Sequence, residues 1–156
     1  MSPAGLDFIA GQEGFKSNVY YVGGKGNPTI GYGHELQPGE NFSGGITKAQ
    51  AYQFLKQDAG IAVNAINKYV RVSLNQNQFD ALTSYIYNTG SLRGTQLLNN
   101  LNSGNFPGAA LQMDINTSVG VFMQGLENRR ITERNLFLYG TYRQYSTWGI
   151  TIVFLL

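Results

Sequence analysis

"YYVGGKGNPTIGYGH", residues 20–34, is the stretch on which the reading of this chain turns. Tyr20, Tyr21, Val22, Thr29 and Ile30 favour extended backbone, and Gly23-Gly24, Gly26-Asn27 and Asn27-Pro28 break it. Together they predict a hairpin or small three-stranded sheet over about residues 18–35. The stretch ends at His34, the only histidine in the chain. Just upstream lies "GQEGF", where Leu6, Phe8 and Ile9 predict a short helix over 4–13 that stops at Gly14. Glu13 closes that helix. A negative side chain gains nothing from the dipole there, so Glu13 is either an ordinary surface glutamate or one placed for chemistry. A carboxylate facing a polar hairpin suits acid–base work on a sugar bond, which normally uses two acids. Yet from Gly14 through His34 there is no Asp or Glu.

Downstream, Thr47 and Gln50 form a capping box that opens a long helix to about residue 70. Its apolar stripe runs through Ala51, Phe54, Leu55, Ala62, Ala65, Ile66 and Tyr69. Asp58 falls on that stripe, where a buried aspartate needs a partner. His34, at the end of the neighbouring hairpin, can supply one, and the pair reads as glue between sheet and helix. Further helices are expected around Phe79–Ile86 up to Gly90, over about 94–102, from "PGAALQM", and over Asn128–Tyr139. Strands early and only helices late make an α+β fold. One domain spans 1–156: a sheet-bearing lobe at about 14–46, a linking helix at 47–70, a helical lobe at 71–142 that includes the first helix, and an apolar tail at 143–156. A cleft between the lobes is the expected ligand site.

Composition excludes several functions. Eleven Lys/Arg against nine Asp/Glu is too small an excess for a nucleic-acid footprint. Arg129, Arg130, Arg134 and Arg143 gather late, as either a solvated helix face or a binding patch. With no cysteine and one histidine, neither a disulfide nor a metal or other cofactor site is expected. No Cys/His pair or GxSxG supplies a nucleophile. "GGKGNPT" lacks the G-K-[ST] ending and leads into a strand, so it is no nucleotide loop. "MSPAGLDFIAGQEG" lacks the pattern of a secretory signal. "TWGITIVFLL" is apolar but shorter than the ~20 residues that span a bilayer. It is expected as a last strand or packed tail, with a membrane-active tail as the rival reading.

Taken together, "EGF…PTIGYGHEL", "ITKAQAYQFLKQD", "LNQNQFDALTSYIYNTGSL" and "GLENRRITERNLFLYG" resemble the phage T4-type lysozymes, the endolysin muramidases of glycoside hydrolase family 24. The resemblance runs in order over roughly residues 5–142. It implies a two-lobed lysozyme-like α+β fold that cleaves the β-1,4 bond between N-acetylmuramic acid and N-acetylglucosamine. The substrate it implies is peptidoglycan glycan strands, reached once a holin-type partner opens the membrane. Without an export signal the chain is expected to build up in the host cytoplasm, and a monomer is the default expectation. The family motif is Glu, eight residues, Asp or Cys, five residues, Thr. Its glutamate maps onto Glu13 as general acid, and its threonine onto Thr29, which helps hold the attacking water. Tyr87 and Asn88 fall where relatives line the sugar cleft, Arg129 matches an arginine near the catalytic glutamate, and His34 with Asp58 matches a buried structural pair. At the middle position stands Val22, which can neither take a proton nor orient water, and the loop to Thr29 is one residue longer. Glu35 is the nearest other acid in sequence. It follows the buried-looking His34 and is expected to point the other way, out of the site. A working enzyme and a disabled, wall-binding relative both remain open from the residues alone.

Overall fold

The computed structural model describes residues 1–24, 26–92, 95–114, 117–118 and 121–143. Helix α1 (Pro3–Glu13) starts because Ser2 accepts the Gly5 N–H with its hydroxyl and Pro3 needs no donor partner. Gly14 ends it at φ 70°. The chain then forms β1 (Lys16–Tyr21), a single tight turn at Val22–Gly24, β2 (Pro28–Gly31) and β3 (His34–Glu35), paired antiparallel in the order β1-β2-β3. Helices α2 (Lys48–Tyr69) and α3 (Gln76–Thr89) follow, then α4 (Gln96–Asn102) and α5 (Phe106–Leu111). A two-stranded hairpin, β4 (Thr117–Ser118) with β5 (Val121–Phe122), precedes α6 (Gln124–Tyr139).

Both ends of the capping box at Thr47 and Gln50 are made, and Asn75 with Gln78 repeats the device at the start of α3. Helix α2 serves three apolar clusters along its length. Ala51 packs with Ile30 and Ile46 under the sheet. Leu55 and Ala59 meet Leu6 and Ile9 of α1. Ala62 and Ile66 join the main helical core with Leu82, Ile86, Leu101, Met113 and Phe137. Gly31 lies where the sheet meets the helix: a β-carbon there would stand 2.9 Å from that of Ala51, and its φ of 68° suits only glycine. Helix α3 runs through the middle, with Asp80 through Ile86 all buried. Asp80 accepts hydrogen bonds from the Ser2 backbone N–H (3.0 Å), the Ser2 hydroxyl, Gln76 and Tyr142, which stitches the amino terminus to the core.

Three features differ from the sequence reading. The β4–β5 hairpin interrupts what is expected to be helix alone, because strands of two residues are too short to show alternation. Helix α6 begins at Gln124, four positions before the expected Asn128, through a turn that no side chain caps. The apolar tail expected as a final strand or packed segment lies outside the described residues. Among the described residues no helix is long and apolar enough to cross a membrane.

Candidate active site

One wall of the site is built by helices. Glu13, at the carboxyl end of α1, accepts a hydrogen bond from Arg129 Nη1 of α6 at 2.6 Å. Arg129 also donates from Nε to Glu133 Oε1 (3.1 Å) and from Nη2 to the Ser84 carbonyl (3.4 Å). Glu133 is fully buried and accepts from the Ser84 hydroxyl at 2.7 Å. Arg130, also fully buried, sets Nε 3.2 Å from Glu133 Oε2, donates from Nη2 to Asn88 Oδ1 at 2.7 Å, and lies over the Tyr85 ring. Two glutamates and two arginines thus balance in charge, with Arg129, Arg130 and Glu133 buried and Glu13 partly exposed at the open end. Burial alone would push Arg129 down, but the Glu13 and Glu133 charges outweigh it and raise it. Burial pushes the Glu133 carboxyl up, and the two guanidiniums pull against it. The sequence reading leaves Arg129 and Arg130 as a solvated face or a binding patch, with Arg129 carried over by resemblance as a substrate-site residue near the catalytic glutamate. The structure buries both and sets Arg129 against Glu13. The missed partner, Glu133, sits three and four residues on, the spacing that puts it beside both arginines on one helix face.

The small sheet builds the other wall. Thr29 is buried and donates its hydroxyl to the Asn27 carbonyl at 2.9 Å. Its cross-strand neighbours are Tyr20 on β1 and Glu35 on β3, so these three side chains share one face of the sheet. The Tyr20 hydroxyl is raised by burial and then by the Glu13 charge. Ile30 and His34 pair on the opposite face, where Ile30 packs under the sheet and His34 stacks on Phe54 of α2 at 4.4 Å. The expectation that Glu35 turns away from the site is therefore corrected. It does point opposite to His34, but His34 faces α2, and Glu35 shares the face of Thr29. Val22 sits exposed in the turn after β1, its carbonyl accepting the Gly26 N–H at 2.9 Å.

An open cavity of about 320 Å³ is lined by Gly33 and Glu35 from the hairpin, Asp58 and Ile61 from α2, and Ile86 and Tyr87 from α3. Gly33, at φ 98°, borders Glu13 and Tyr87: a β-carbon there would stand 3.6 Å from the Tyr87 hydroxyl and 3.9 Å from Glu13 Oε2. Tyr87 donates its hydroxyl to the Tyr32 carbonyl at 3.0 Å, which braces α3 against the hairpin. Burial, then the Glu13 charge, pushes that hydroxyl well up. Asn88 is exposed beside it, and its carbonyl oxygen is held by Arg130. Arg129 is only 6% exposed, with its donors turned to Glu13, Glu133 and Ser84, so it lies behind Glu13 and not on the cleft surface.

His34 Nδ1 meets Asp58 Oδ2 at 2.9 Å, as the pattern suggests, and Nε2 meets Glu40 Oε2 at 3.0 Å, a third partner that the sequence reading lacks. Burial opposes charge on His34, but the hydrogen bonds to Asp58 and Glu40 outweigh it and raise its pKa above 6.5. Asp58 is half-buried, not buried, because it flanks the stripe of Leu55, Ala59 and Ala62 and stands at the cavity lip. Among the described residues no group of three or more His, Cys, Asp or Glu could hold a metal ion.

A helical body and a small sheet meeting at a cleft, with one glutamate at a helix end, define a lysozyme-like α+β fold. The chain belongs to the phage lysozyme family, whose model matches residues 10–133. It is 39% identical over 153 residues to the endolysin of Bacillus phage PZA, covering 94% of this chain but only 58% of that relative. Among solved structures, the endolysin of Escherichia coli O157:H7 phage FAHEc1 superposes with a TM-score of 0.80 at 34% identity, covering 92% of this chain and 96% of that one. The muramidase domain of SpmX from Asticaccaulis excentricus gives 0.79 at 30% identity, covering 88% and 96%.

Proposed function

We propose that this chain is a muramidase that hydrolyses the β-1,4 bond between N-acetylmuramic acid and N-acetylglucosamine in peptidoglycan and thereby lyses bacteria. The observation that carries this reading is Glu13, held by a buried guanidinium at 2.6 Å beside the open cavity, in a member of the phage lysozyme family. In its protonated form Glu13 gives its proton to the departing sugar oxygen. Arg129 positions Glu13 and stabilises the carboxylate left behind. Glu133 holds the other side of the same guanidinium, which fixes Arg129 in place behind Glu13. Tyr87, Asn88 and Gly33 shape the sugar path, and His34 with Asp58 and Glu40 ties the hairpin to α2. Thr29 donates its own proton to Asn27, so toward water its hydroxyl is an acceptor. It orients a water without deprotonating it.

The relatives named endolysins and the structure titled a muramidase domain support the same substrate. Action as a monomer, and delivery from the cytoplasm to the wall through a holin-type membrane-opening partner, belong to this proposal. The test is reducing-sugar release from purified peptidoglycan. Activity in the parent, lost in Glu13→Gln, is the expected result. Val22 favours a second reading, a binder of wall polymer that no longer cleaves. If only Val22→Asp releases sugar, that second reading replaces the first.

A further inference from the structure

The geometry points to Glu35 as the carboxylate that activates the attacking water, in the role that Val22 at the middle motif position cannot fill. This rests on the muramidase reading. Glu35 stands directly across from Thr29 in the β2–β3 register, so the two side chains project from the same face. Asn27 joins them: its side-chain amide donates to Glu35 Oε2 at 3.0 Å, and its carbonyl accepts from Thr29 Oγ1 at 2.9 Å. Glu35 lines the cavity together with Gly33, the residue whose open side borders Glu13. Asp58, the other acid at that cavity, is engaged by His34. Among the described residues, Glu35 is the cavity-lining carboxylate that has no cationic partner.

The hydrogen-bonding arithmetic leaves this residue one task. A water between the two side chains donates one O–H to Thr29 Oγ1, whose own proton is committed to Asn27. Its second O–H goes to Glu35 Oε1, the oxygen that Asn27 leaves free, and a lone pair remains for the sugar C1. In the reaction the C1–O glycosidic bond breaks and Glu13 protonates the departing oxygen. The water oxygen bonds C1, and its proton passes to Glu35. Both carboxyls then return to their starting states by exchanging a proton with solvent. One carboxyl, Glu13 at the end of α1, protonates the leaving oxygen and the other, Glu35 on β3, activates the water, which makes the reaction a two-carboxylate single displacement.

The test measures sugar release from purified peptidoglycan by the parent, Glu13→Gln, Glu35→Gln and Glu35→Ala, the last with and without sodium azide. Glu35 is exposed, so the folded state is expected to survive, and a thermal melt of each variant checks it. Glu35→Gln is expected to lose about 10²–10⁴-fold in rate. Azide needs no deprotonation before it attacks, so it is expected to restore turnover to Glu35→Ala and to appear bonded to C1 of the product. It restores nothing to Glu13→Gln. If Glu35→Gln keeps the parent's rate while Glu13→Gln is inactive, Glu35 is not the base and the muramidase reading stands. Loss of rate at an unchanged melt without azide rescue also overturns the assignment, leaving Glu35 a binding residue. A parent that releases no sugar overturns the muramidase reading, and Glu35 falls with it.

Discussion

The two walls of the cleft are built on opposite principles. On the helical wall, Glu13 is the visible end of a buried chain of charges through Arg129, Glu133 and Arg130, seated on α3 and α6 in the main core. On the sheet wall, Thr29 and Glu35 are linked through one exposed asparagine on short strands, beside a turn that is one residue longer than the family motif. An acid whose partners are core residues cannot be moved without disturbing the core. A water-activating group on a thin hairpin can be moved to a neighbouring strand at little cost. On the assignment proposed for Glu35, this difference is how a chain of this family keeps Glu13 and Thr29 with valine where the motif has a carboxylate.

The contrast predicts effects of very different size. Glu133→Ala leaves buried Arg130 without an acidic partner and Arg129 with Glu13 alone, and is expected to lower stability by about 3–5 kcal/mol in urea unfolding. A smaller loss would mean that the helical wall is less rigid than its burial implies. Gly31→Ala forces a methyl against Ala51 at a left-handed backbone position, and a loss of about 1–3 kcal/mol is expected in the same measurement. That value reports how firmly the sheet wall is seated on α2.

His34 sharpens the comparison through pH. Its pKa is raised on folding, so the stability it contributes is fully present below 6.5 and is lost as pH rises through the folded value. Glu40 is lowered, by the Gln37 backbone N–H and then by His34, so its contribution is present above 4.5 and lost as pH falls through its folded value. The cluster should therefore hold the hairpin best between about pH 4.5 and 6.5. The melting-temperature gap between the parent and His34→Gln is expected to be widest in that window and to narrow toward pH 9. A gap that does not vary with pH would show that His34 contributes by packing on Phe54 alone. The smallest stability effect belongs to Asn27→Ala, an exposed site where a change within about 0.5 kcal/mol is expected. If Asn27 orients Glu35, sugar release falls in this variant while the melt stays put.

Much of the helical scaffold was legible because it depends on neighbours in sequence. The capping box at Thr47, the stop at Gly14 and the spacing of Leu55, Ala62 and Ile66 are all local signals, and α1 and α2 form where those signals put them. The His34–Asp58 contact was also legible, since an aspartate beside an apolar stripe and a lone histidine at a hairpin end each need a partner. Glu40 was not, because it reaches His34 from an irregular loop with no periodicity to read. Composition left Arg129 and Arg130 open between surface face and binding patch, and only the resemblance set Arg129 near Glu13, since it takes the burial of α6 against α3 to turn their spacing to Glu133 into a closed ion network. For Glu35 the alternation rule was right and the conclusion wrong: it does point opposite to His34.

By itself, then, the sequence determined the helices, the hairpin, the glutamate at the end of α1 and the lack of an acid at the motif's middle position. Each of these follows from side-chain chemistry and short-range spacing. Only the tertiary structure decided which face of the hairpin looks into the cleft and which charges are buried, because a strand's two faces are equivalent until something packs on one of them. Here α2 takes the face of Ile30 and His34, and Thr29 and Glu35 are left on the other, with Glu35 lining the cavity.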